Sequence, residues 1–407
     1  MIDLIKRIFK KRGVDRTIYF AIFVLTMTGI VMIGSASVGN AAKYGTAYAM
    51  KNMVKQGVFV ALGYGAMIFF ARTFKSRYIT ENRVWLYYFA CLALMFVCLL
   101  WGDNKGAYSW IYLPGGFTIQ PMEFMKIIMI LFLAYEFGQL PEECVIPTAI
   151  SKDKRNRMMN RKIIYCAVIP IIAILIAFGV GAVVQNDTGS AIVLGIICLF
   201  IFFCTPVRYY SKLKLVAIVS VVLAFIVILI SFNTIFKAHQ VARFDIWLNP
   251  INKNNYYGNG FQFANGLIAF ASGGLFGKGF GASTQKFGYI PEAGNDFISA
   301  IIVEELGVVG FFVLVIIPYC IIIFKLFNYG QKIRETKSKL ILYGIACYFF
   351  AHLLINVGGV SGLIPMTGVP LLLISSGGSS TLAAMISIGL AQGIIAKYNK
   401  DKLKEQL

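Results

Sequence analysis

The sequence predicts an all-α polytopic membrane protein of about ten transmembrane helices, with a long outer loop between the seventh and eighth. Three observations predict this fold class. The 407 residues are 58% hydrophobic and only 14% charged, which is more apolar surface than a soluble core of this length could bury. The apolar residues fall in runs of roughly the ~20 residues that a bilayer requires. The basic residues fall in the short segments between those runs.

The apolar runs divide the chain into ten predicted spans, and we interpret residues 1–407 as a single ten-span membrane domain. The runs lie at about 17–36, 54–71, 84–101, 121–138, 163–183, 187–205, 214–235, 297–324, 340–357 and 371–396. The first run follows a basic stretch and lacks a small-residue cleavage site, so it is interpreted as the first span rather than as a signal peptide.

The net charge of +20 could suggest nucleic-acid binding, but the positions of the 38 Lys and Arg exclude it. Most of them cluster in short segments that alternate with poorly basic ones along the chain. This is the positive-inside pattern, which predicts a cytoplasmic-membrane protein with both termini in the cytoplasm. The charge is therefore a topology signal, and no nucleic acid is expected as a partner.

Cysteine and histidine usage gives no sign of a disulfide framework or a zinc site. None of the eight cysteines falls in the long outer loop, and the two histidines are far apart in the chain. No CxxC, HxH or HExxH motif is present. We therefore expect no protein-bound structural metal.

The outer segment 236–296 is the longest connection in the chain. It is too rich in Gly, Asn and charge to span a membrane, and its aromatic content argues against disorder. We predict short interfacial or re-entrant helices there, such as residues 260–272, joined by glycine turns. A second outer segment, GGVSGLIPMTGVP, is dense in Gly and Pro. Broken backbone at membrane depth is tolerated where protein buries it or where it lines a wet cavity, so this segment also points to a site.

Asp296 is the candidate catalytic residue. It stands in YIPEAGNDFISAIIVEELG, at the outer start of a span, and carboxylates at such positions are costly and functional by default. The alternative is an N-cap of the following helix, which is compatible with catalysis. Glu304 and Glu305 lie eight and nine residues further on. We expect them to form structural ion pairs or hydrogen bonds with other spans rather than to join the chemistry.

The outer loop also carries candidate anion-binding residues. SGGLFGKGFG superficially resembles a phosphate-binding loop, but Ser272 stands where the P-loop motif needs glycine. Glycines still allow backbone amides to approach an anion, and Lys278, Lys286 and Arg243 would supply positive charge. The expected anion is a lipid pyrophosphate. The alternative is that these are solvated surface residues.

Two further polar positions open predicted spans. Glu123 and Lys126 are three residues apart, hence on one helix face and within pairing range, either as a structural pair or as part of a wet cavity. Asp187 in VVQNDTGS begins the sixth span, where a helix cap and a functional role are equally compatible with the pattern.

Four segments, in order, resemble one known family over nearly the whole chain. They are GAYSWIYLPGGFTIQPMEFMK, VVQNDTGSAIV, ASGGLFGKGFGASTQKFGYIPEAGNDFISAIIVEELG and NVGGVSGLIPMTGVPLLLISSGGSS. They resemble the SEDS family (shape, elongation, division and sporulation), and GGVSGLIPMTGVP is more similar to its FtsW branch than to its RodA branch. The resemblance implies a peptidoglycan glycosyltransferase that polymerises lipid II outside the cytoplasmic membrane and releases undecaprenyl pyrophosphate.

The resemblance also implies roles for individual residues. The family's essential acidic residue falls on Asp296, which is the expected catalytic residue. The family's lysine and glutamate pair falls on Lys126 and Glu123 and a further acidic residue on Asp187, and these three are expected to bind the substrate. Departures from the family pattern spare these positions but put substrate fit beside Asp296 in doubt. They are Met122, Asn186, Gly294, Asn295, Leu372, Leu373 and Ser376.

Partners and cofactors follow from the same resemblance. It implies lipid II as substrate, a class B penicillin-binding transpeptidase as partner and other division or elongation proteins around them. We assign no cofactor, and a divalent cation, Mg²⁺ or Mn²⁺, is a candidate for stabilising the leaving pyrophosphate. Two rival hypotheses stay open at this point, a lipid II flippase and a non-catalytic scaffold.

Overall fold

The computed structural model describes residues 13–40, 44–45, 47–101, 106–113, 117–138, 168–206, 211–230, 238–258 and 260–405. Helices dominate this part of the chain. They are α1 (Arg16–Val38), α2 (Ala47–Thr73), α3 (Glu81–Trp101), α4 (Pro121–Gly138), α5 (Val168–Val184), α6 (Thr188–Cys204), α7 (Ser211–Ile230), α8 (Ala238–Leu248), α9 (Lys253–Tyr256), α10 (Phe261–Gly273), α11 (Ile298–Lys332), α12 (Thr336–Val360) and α13 (Gly378–Glu405). A small antiparallel hairpin, β1 (Ile111–Leu113) and β2 (Phe117–Ile119), precedes α4.

The predicted fold class is confirmed, because each of the ten apolar runs overlaps a helix within the described residues. Within the described residues, six of these helices are long and apolar enough to cross a membrane, and α5 and α6 are shorter apolar helices. The short helix α4 carries Glu123, Lys126 and Glu136 among its apolar residues. The predicted runs 163–183 and 214–235 extend into residues outside the described ranges.

The last predicted span was wrong at its beginning. The run predicted at 371–396 starts with LLLISS, but α13 begins only at Gly378. Residues 371–374 are fully buried without being helical, and Leu373 has a positive φ of 65°. Their apolar character therefore reflects burial against neighbouring helices and not contact with lipid. The second span also differs, since α2 starts at Ala47 rather than near residue 54.

Side-chain caps explain where two helices begin. Asp15 accepts hydrogen bonds from the amides of Thr17 and Ile18 at the start of α1. Asp187 accepts from the amide of Ser190 at the start of α6. Each cap satisfies amides that the first helical turn leaves without a partner, so these two polar positions set the entry of an apolar helix.

Glycines let α13 pack closely along α2. A methyl group at Gly63 would collide with Met385, and one at Gly389 would collide with the backbone of Met67. Small residues at such crossings bring two backbones together, which is the main source of packing energy between helices in a membrane. This contact forms one side of the helical bundle.

α11 is broken near one end of the bundle. Gly307 has φ 74° and ψ 176°, so the helical hydrogen-bond pattern is interrupted there. The segment 274–279 fills the gap: the amides of Val308 and Val309 donate to the carbonyls of Gly274 and Leu275 at 3.0 and 3.1 Å. A methyl group at Gly307 would meet Leu275 O and Gly277 N, which explains why glycine occupies this position.

The long segment between α7 and α11 folds over the same end of the bundle, which we name the site end. It contains α8, α9 and α10, and the helix predicted at 260–272 is α10. Trp247 on α8 donates its indole N–H to the carbonyl of Gly362 in the connection between α12 and α13. The segment is thereby tied to a second polar connection, and the two together enclose a cavity.

Candidate active site

Asp296 lines this cavity, whose volume is about 350 Å³. The Asp296 side chain is half-buried. The other lining residues come from α8, α10, the segment before α11 and the connection after α12. They are Ile246, Trp247, Gln262, Phe263, Glu292, Phe297, Met366, Thr367 and Gly368. A carboxylate, an aromatic surface and amide groups facing one concave space suit a polar ligand with an apolar part.

Backbone contacts fix the position of Asp296. Asn356 on α12 donates from Nδ2 to the carbonyl of Asp296 at 2.9 Å and to the carbonyl of Val369 at 2.8 Å. Ser299 donates to Asn356 Oδ1 at 3.1 Å, which fixes the amide orientation. The N-cap position of α11 is Phe297 and not Asp296. A methyl group at Gly368 would lie 3.3 Å from Asp296 Oδ2, so this glycine keeps the cavity wall close to the carboxylate.

Glu123 and Lys126 form the ion pair that their spacing predicts, with Lys126 Nζ 2.6 Å from Glu123 Oε1. Both side chains are fully buried. Two residues of α12 complete the cluster. His352 Nε2 lies 3.2 Å from Lys126 Nζ, and Tyr348 donates its hydroxyl to Glu123 Oε2 at 3.3 Å. Each of the two charges therefore has two polar partners, as buried charges require.

Asp187 caps α6, which confirms the cap alternative, and it also binds a second side chain. The Gln120 side chain donates from Nε2 to Asp187 Oδ2, and the backbone N–H of Gln120 donates to Ser379 Oγ at 3.1 Å. Asp187 is half-buried. Thr367 O packs against Gly189, so the start of α6 contacts the connection that forms the wall beside Asp296.

Two lysines of the segment between α10 and α11 form ion pairs with α11. Lys286 is 1% exposed and its Nζ lies 2.8 Å from Glu305 Oε1, while Lys278 is 32% exposed and lies 2.6 Å from Glu304 Oε1. Glu305 also accepts from Ser35 on α1 at 2.6 Å. Both carboxylates form ion pairs as predicted, but the lysine partners lie in the segment before α11 rather than on another span, and Ser35 of α1 is the span partner of Glu305. We name this group the loop anchor (Lys278, Lys286, Glu304 and Glu305 with the side chains bound to them).

Two sequence predictions are left to compare with the structure: the position of Arg243 and the presence of a metal site. Arg243 belongs to α8, one turn before Ile246 and Trp247, but its side chain lies outside the described part of the structure. Among the described residues there is no group of three or more His, Cys, Asp and Glu that could hold a metal ion. Glu292 lines the cavity with Asp296, and its Oε2 accepts a hydrogen bond from Asn295 Nδ2.

Sequence reasoning missed His352, Tyr348 and Asn356. All three lie on α12, at i, i+4 and i+8, and therefore on one face of that helix. A buried Lys in a predicted span signals that partners must exist, and a polar stripe on another span would have been the place to look for them.

The fold and the site define a class, a polytopic helical membrane protein with a polar cavity at one end and buried charges beneath its wall. Similar proteins identify the family. The family model for the FtsW, RodA and SpoVE cell cycle proteins matches residues 16–400. The chain therefore belongs to this family, which is the SEDS family predicted from the four segments.

Relatives and solved structures are similar over nearly the whole chain. A probable peptidoglycan glycosyltransferase FtsW of Bacillus subtilis (strain 168) is 31% identical, over 99% of this chain and 96% of the relative. One from Trichlorobacter lovleyi is 30% identical, over 97% of each. A structure described as a peptidoglycan synthase complex that coordinates polymerization and crosslinking contains a chain with TM-score 0.70 and 22% identity, over 95% of this chain and 98% of that one. RodA of Thermus thermophilus gives TM-score 0.61 and 21% identity, over 95% and 97%.

Proposed function

We propose that the protein is a peptidoglycan glycosyltransferase that polymerises lipid II into glycan strands at the outer face of the cytoplasmic membrane. Curated relatives that align over almost the full chain are named for this activity. The observation that carries the assignment to this site is the Asp296 carboxylate, which lines a cavity of about 350 Å³ at the site end of the bundle. The positive-inside pattern supports placing that end outside, with both termini in the cytoplasm.

In the proposed reaction, Asp296 acts as a general base. It takes the proton from a sugar 4-hydroxyl of the acceptor as that oxygen attacks the anomeric carbon of the donor. The bond from the anomeric carbon to the pyrophosphate breaks, and undecaprenyl pyrophosphate leaves with the electron pair. A carboxylate oxygen within hydrogen-bond reach of the acceptor hydroxyl can accept this proton. A positioned base typically contributes about 10²–10⁴-fold to the rate.

Positive charge near the site would stabilise the leaving pyrophosphate. The loop anchor supports Lys278 over Lys286 for this role, because Lys286 is buried in its ion pair and Lys278 is partly exposed. Arg243 stays a candidate on the helix that supplies Trp247 to the cavity. Bound with the substrate, Mg²⁺ or Mn²⁺ at Glu292 would add charge neutralisation. Glu123, Lys126 and Asp187 would then support the cavity wall from beneath.

A class B penicillin-binding transpeptidase is the partner we propose, because the glycan strands made here are the substrate of a crosslinking reaction. The similar chain in a peptidoglycan synthase complex supports such a pairing. The flippase alternative is not favoured, since the full-length curated relatives are named as glycosyltransferases.

The test is lipid II polymerisation by the purified protein with its cognate transpeptidase, comparing the unmodified chain with Asp296→Asn. Asp245→Asn is the matched control, because Asp245 lies exposed on α8 and binds Asn249 and Asn255 instead of lining the cavity. We expect glycan strands from the unmodified chain and from Asp245→Asn, and a rate at least about 10²-fold lower from Asp296→Asn. An unaltered rate in Asp296→Asn would overturn the role of Asp296. A folded complex that makes no strands in any variant would overturn the activity.

A further inference from the structure

We propose that His352 is a positioning residue, which holds the buried Lys126 and Glu123 pair in register with the wall of the Asp296 cavity. His352 is fully buried on α12 and contacts both regions directly. Its Nε2 lies 3.2 Å from Lys126 Nζ, and its Nδ1 lies 3.0 Å from the carbonyl of Pro370. The proposal rests on the proposed function where it is tested by lipid II polymerisation. Its second test, which determines the tautomer of the His352 ring, does not depend on that function.

The two contacts of the imidazole assign its tautomer. The carbonyl of Pro370 can only accept a hydrogen bond, so Nδ1 carries the proton and donates it. The ammonium of Lys126 can only donate, so Nε2 is unprotonated and accepts. One neutral ring therefore satisfies both partners at once. An imidazolium would direct an N–H at the Lys126 ammonium and leave both groups as donors.

His352 works together with Asn356, one helical turn further along α12. Asn356 donates to the carbonyl of Val369, and His352 donates to the next carbonyl, that of Pro370. These two donors hold consecutive carbonyls of the connection between α12 and α13. Gly368 in the same connection lies against Asp296. His352 thus transmits the position of the buried ion pair to the cavity wall through one short stretch of backbone.

A purely space-filling role for His352 makes a different prediction. Its ring packs edge-on against Tyr348, with ring centroids 4.9 Å apart. If packing were the whole role, an apolar side chain of similar size would replace it. If the two hydrogen bonds matter, the one donated to Pro370 and the one accepted from Lys126, then only a side chain with an acceptor and a donor separated by one carbon will replace His352. Glutamine has that arrangement in its amide group.

The first experiment compares His352→Leu with His352→Gln in lipid II polymerisation. We expect kcat to fall about 10²-fold in His352→Leu with a nearly unchanged KM, because small displacements of supporting groups have effects of this size. His352→Gln should recover most of the rate. The folded fraction of each variant is measured by thermal unfolding, so that rates refer to folded protein. A normal kcat in His352→Leu, or equal losses in folded Leu and Gln variants, would overturn the proposal.

The second experiment does not depend on glycan synthesis. The chain contains only two histidines, so ¹⁵N-histidine labelling of a His239→Gln protein leaves one labelled ring to observe by NMR. At neutral pH we expect one protonated nitrogen, assigned to Nδ1, and one unprotonated nitrogen, assigned to Nε2. An Nε2–H tautomer or a doubly protonated ring would overturn the proposal even if polymerisation behaves as expected. A correct tautomer with no polymerase activity would place the failure in the proposed function instead.

Discussion

Asp296 and Glu304 lie eight residues apart, yet the surroundings of the two carboxylates differ. Glu304 is fully buried, and its oxygens accept hydrogen bonds from four residues of the segment between α10 and α11. The donors are Lys278, Ser283, Thr284 and Gln285. Asp296 is half-buried and lines a cavity, and Asn356 binds its backbone carbonyl.

The difference separates a structural carboxylate from a chemical one. A carboxylate whose lone pairs are all used by the protein fixes the loop that surrounds it, because moving it would break several charge-assisted hydrogen bonds. A carboxylate that faces a cavity can meet a substrate hydroxyl. The comparison therefore predicts that substitutions of the buried members of the loop anchor, Lys286, Glu304 and Glu305, lower stability, whereas substitutions of Asp296 lower turnover.

Breaking the loop anchor should give the largest effect. Lys286→Met leaves Glu305 buried without its ammonium partner, and we expect the free energy of unfolding to fall by about 3–5 kcal/mol. The folded fraction should polymerise lipid II at a normal rate. Thermal unfolding in detergent measures the first quantity, and rates normalised to folded protein measure the second.

The control for that prediction is Lys332→Met, which removes an exposed lysine at the other end of α11. It should change stability by no more than about 0.5 kcal/mol. Exchanging the two charges, with Lys286→Glu and Glu305→Lys together, should recover part of the loss. A stable Lys286→Met protein that has lost its turnover would contradict the separation of roles and would support the predicted role of Lys286 in binding the substrate.

Changing each carboxylate side chain by one methylene tests the difference between Asp296 and Glu304, and we expect effects of intermediate size. Asp296→Glu keeps the charge but moves the carboxylate by roughly 1 Å, and we expect turnover to fall about 10²-fold, which corresponds to about 2.7 kcal/mol of activation free energy. Glu304→Asp should lower the free energy of unfolding by about 1–3 kcal/mol through weakened hydrogen bonds. Both variants are measured for both properties. If both variants lost turnover and stability to the same extent, the distinction between a structural and a chemical carboxylate would be wrong.

The smallest effect is expected at the opposite end of the bundle, where Asp15 binds Lys325 and Tyr329. Burial raises the pKa of Asp15, but the hydrogen bonds from Lys325 and Tyr329 outweigh it, so the pKa lies below its usual 3.8. Asp15 therefore stabilises the fold above pH 3.8, and this contribution is lost as the pH falls through the lowered pKa.

At neutral pH, Asp15→Asn should lower the free energy of unfolding by about 1 kcal/mol without affecting turnover. The difference from the unmodified chain should shrink in acid, as measured by thermal unfolding across a pH series. A difference that grew toward low pH would show that the sign of the pKa shift is wrong.

The spans were predictable because a membrane demands long apolar helices, and length and composition report that demand directly. The error at residues 371–377 has a physical origin. Leu371 to Ile374 are as apolar as lipid-facing residues but are buried inside the protein, and hydropathy does not distinguish the two surroundings. Within the site, Glu123 and Lys126 were predictable as a pair because helix geometry relates residues three apart.

The partners from distant parts of the chain were not predictable in the same way. His352 lies 226 residues from Lys126, and only the packing of α12 against α4 brings them together. Lys286 and Glu305 are closer in sequence, and a signal was available: two carboxylates inside a predicted span need compensation, and the two preceding lysines could supply it. The glycine-rich surroundings favoured an anion site instead, because glycine turns serve both purposes.

The break at Gly307 has a consequence for how the chain enters the membrane. Two amides just beyond the break find their acceptors in Gly274 and Leu275, which are made earlier by the ribosome. A lone α11 in hydrocarbon would expose these amides without partners, at a cost of several kcal/mol each. We therefore expect residues 274–309 to be integrated as one unit during biogenesis, with the loop delivered ahead of the helix that depends on it.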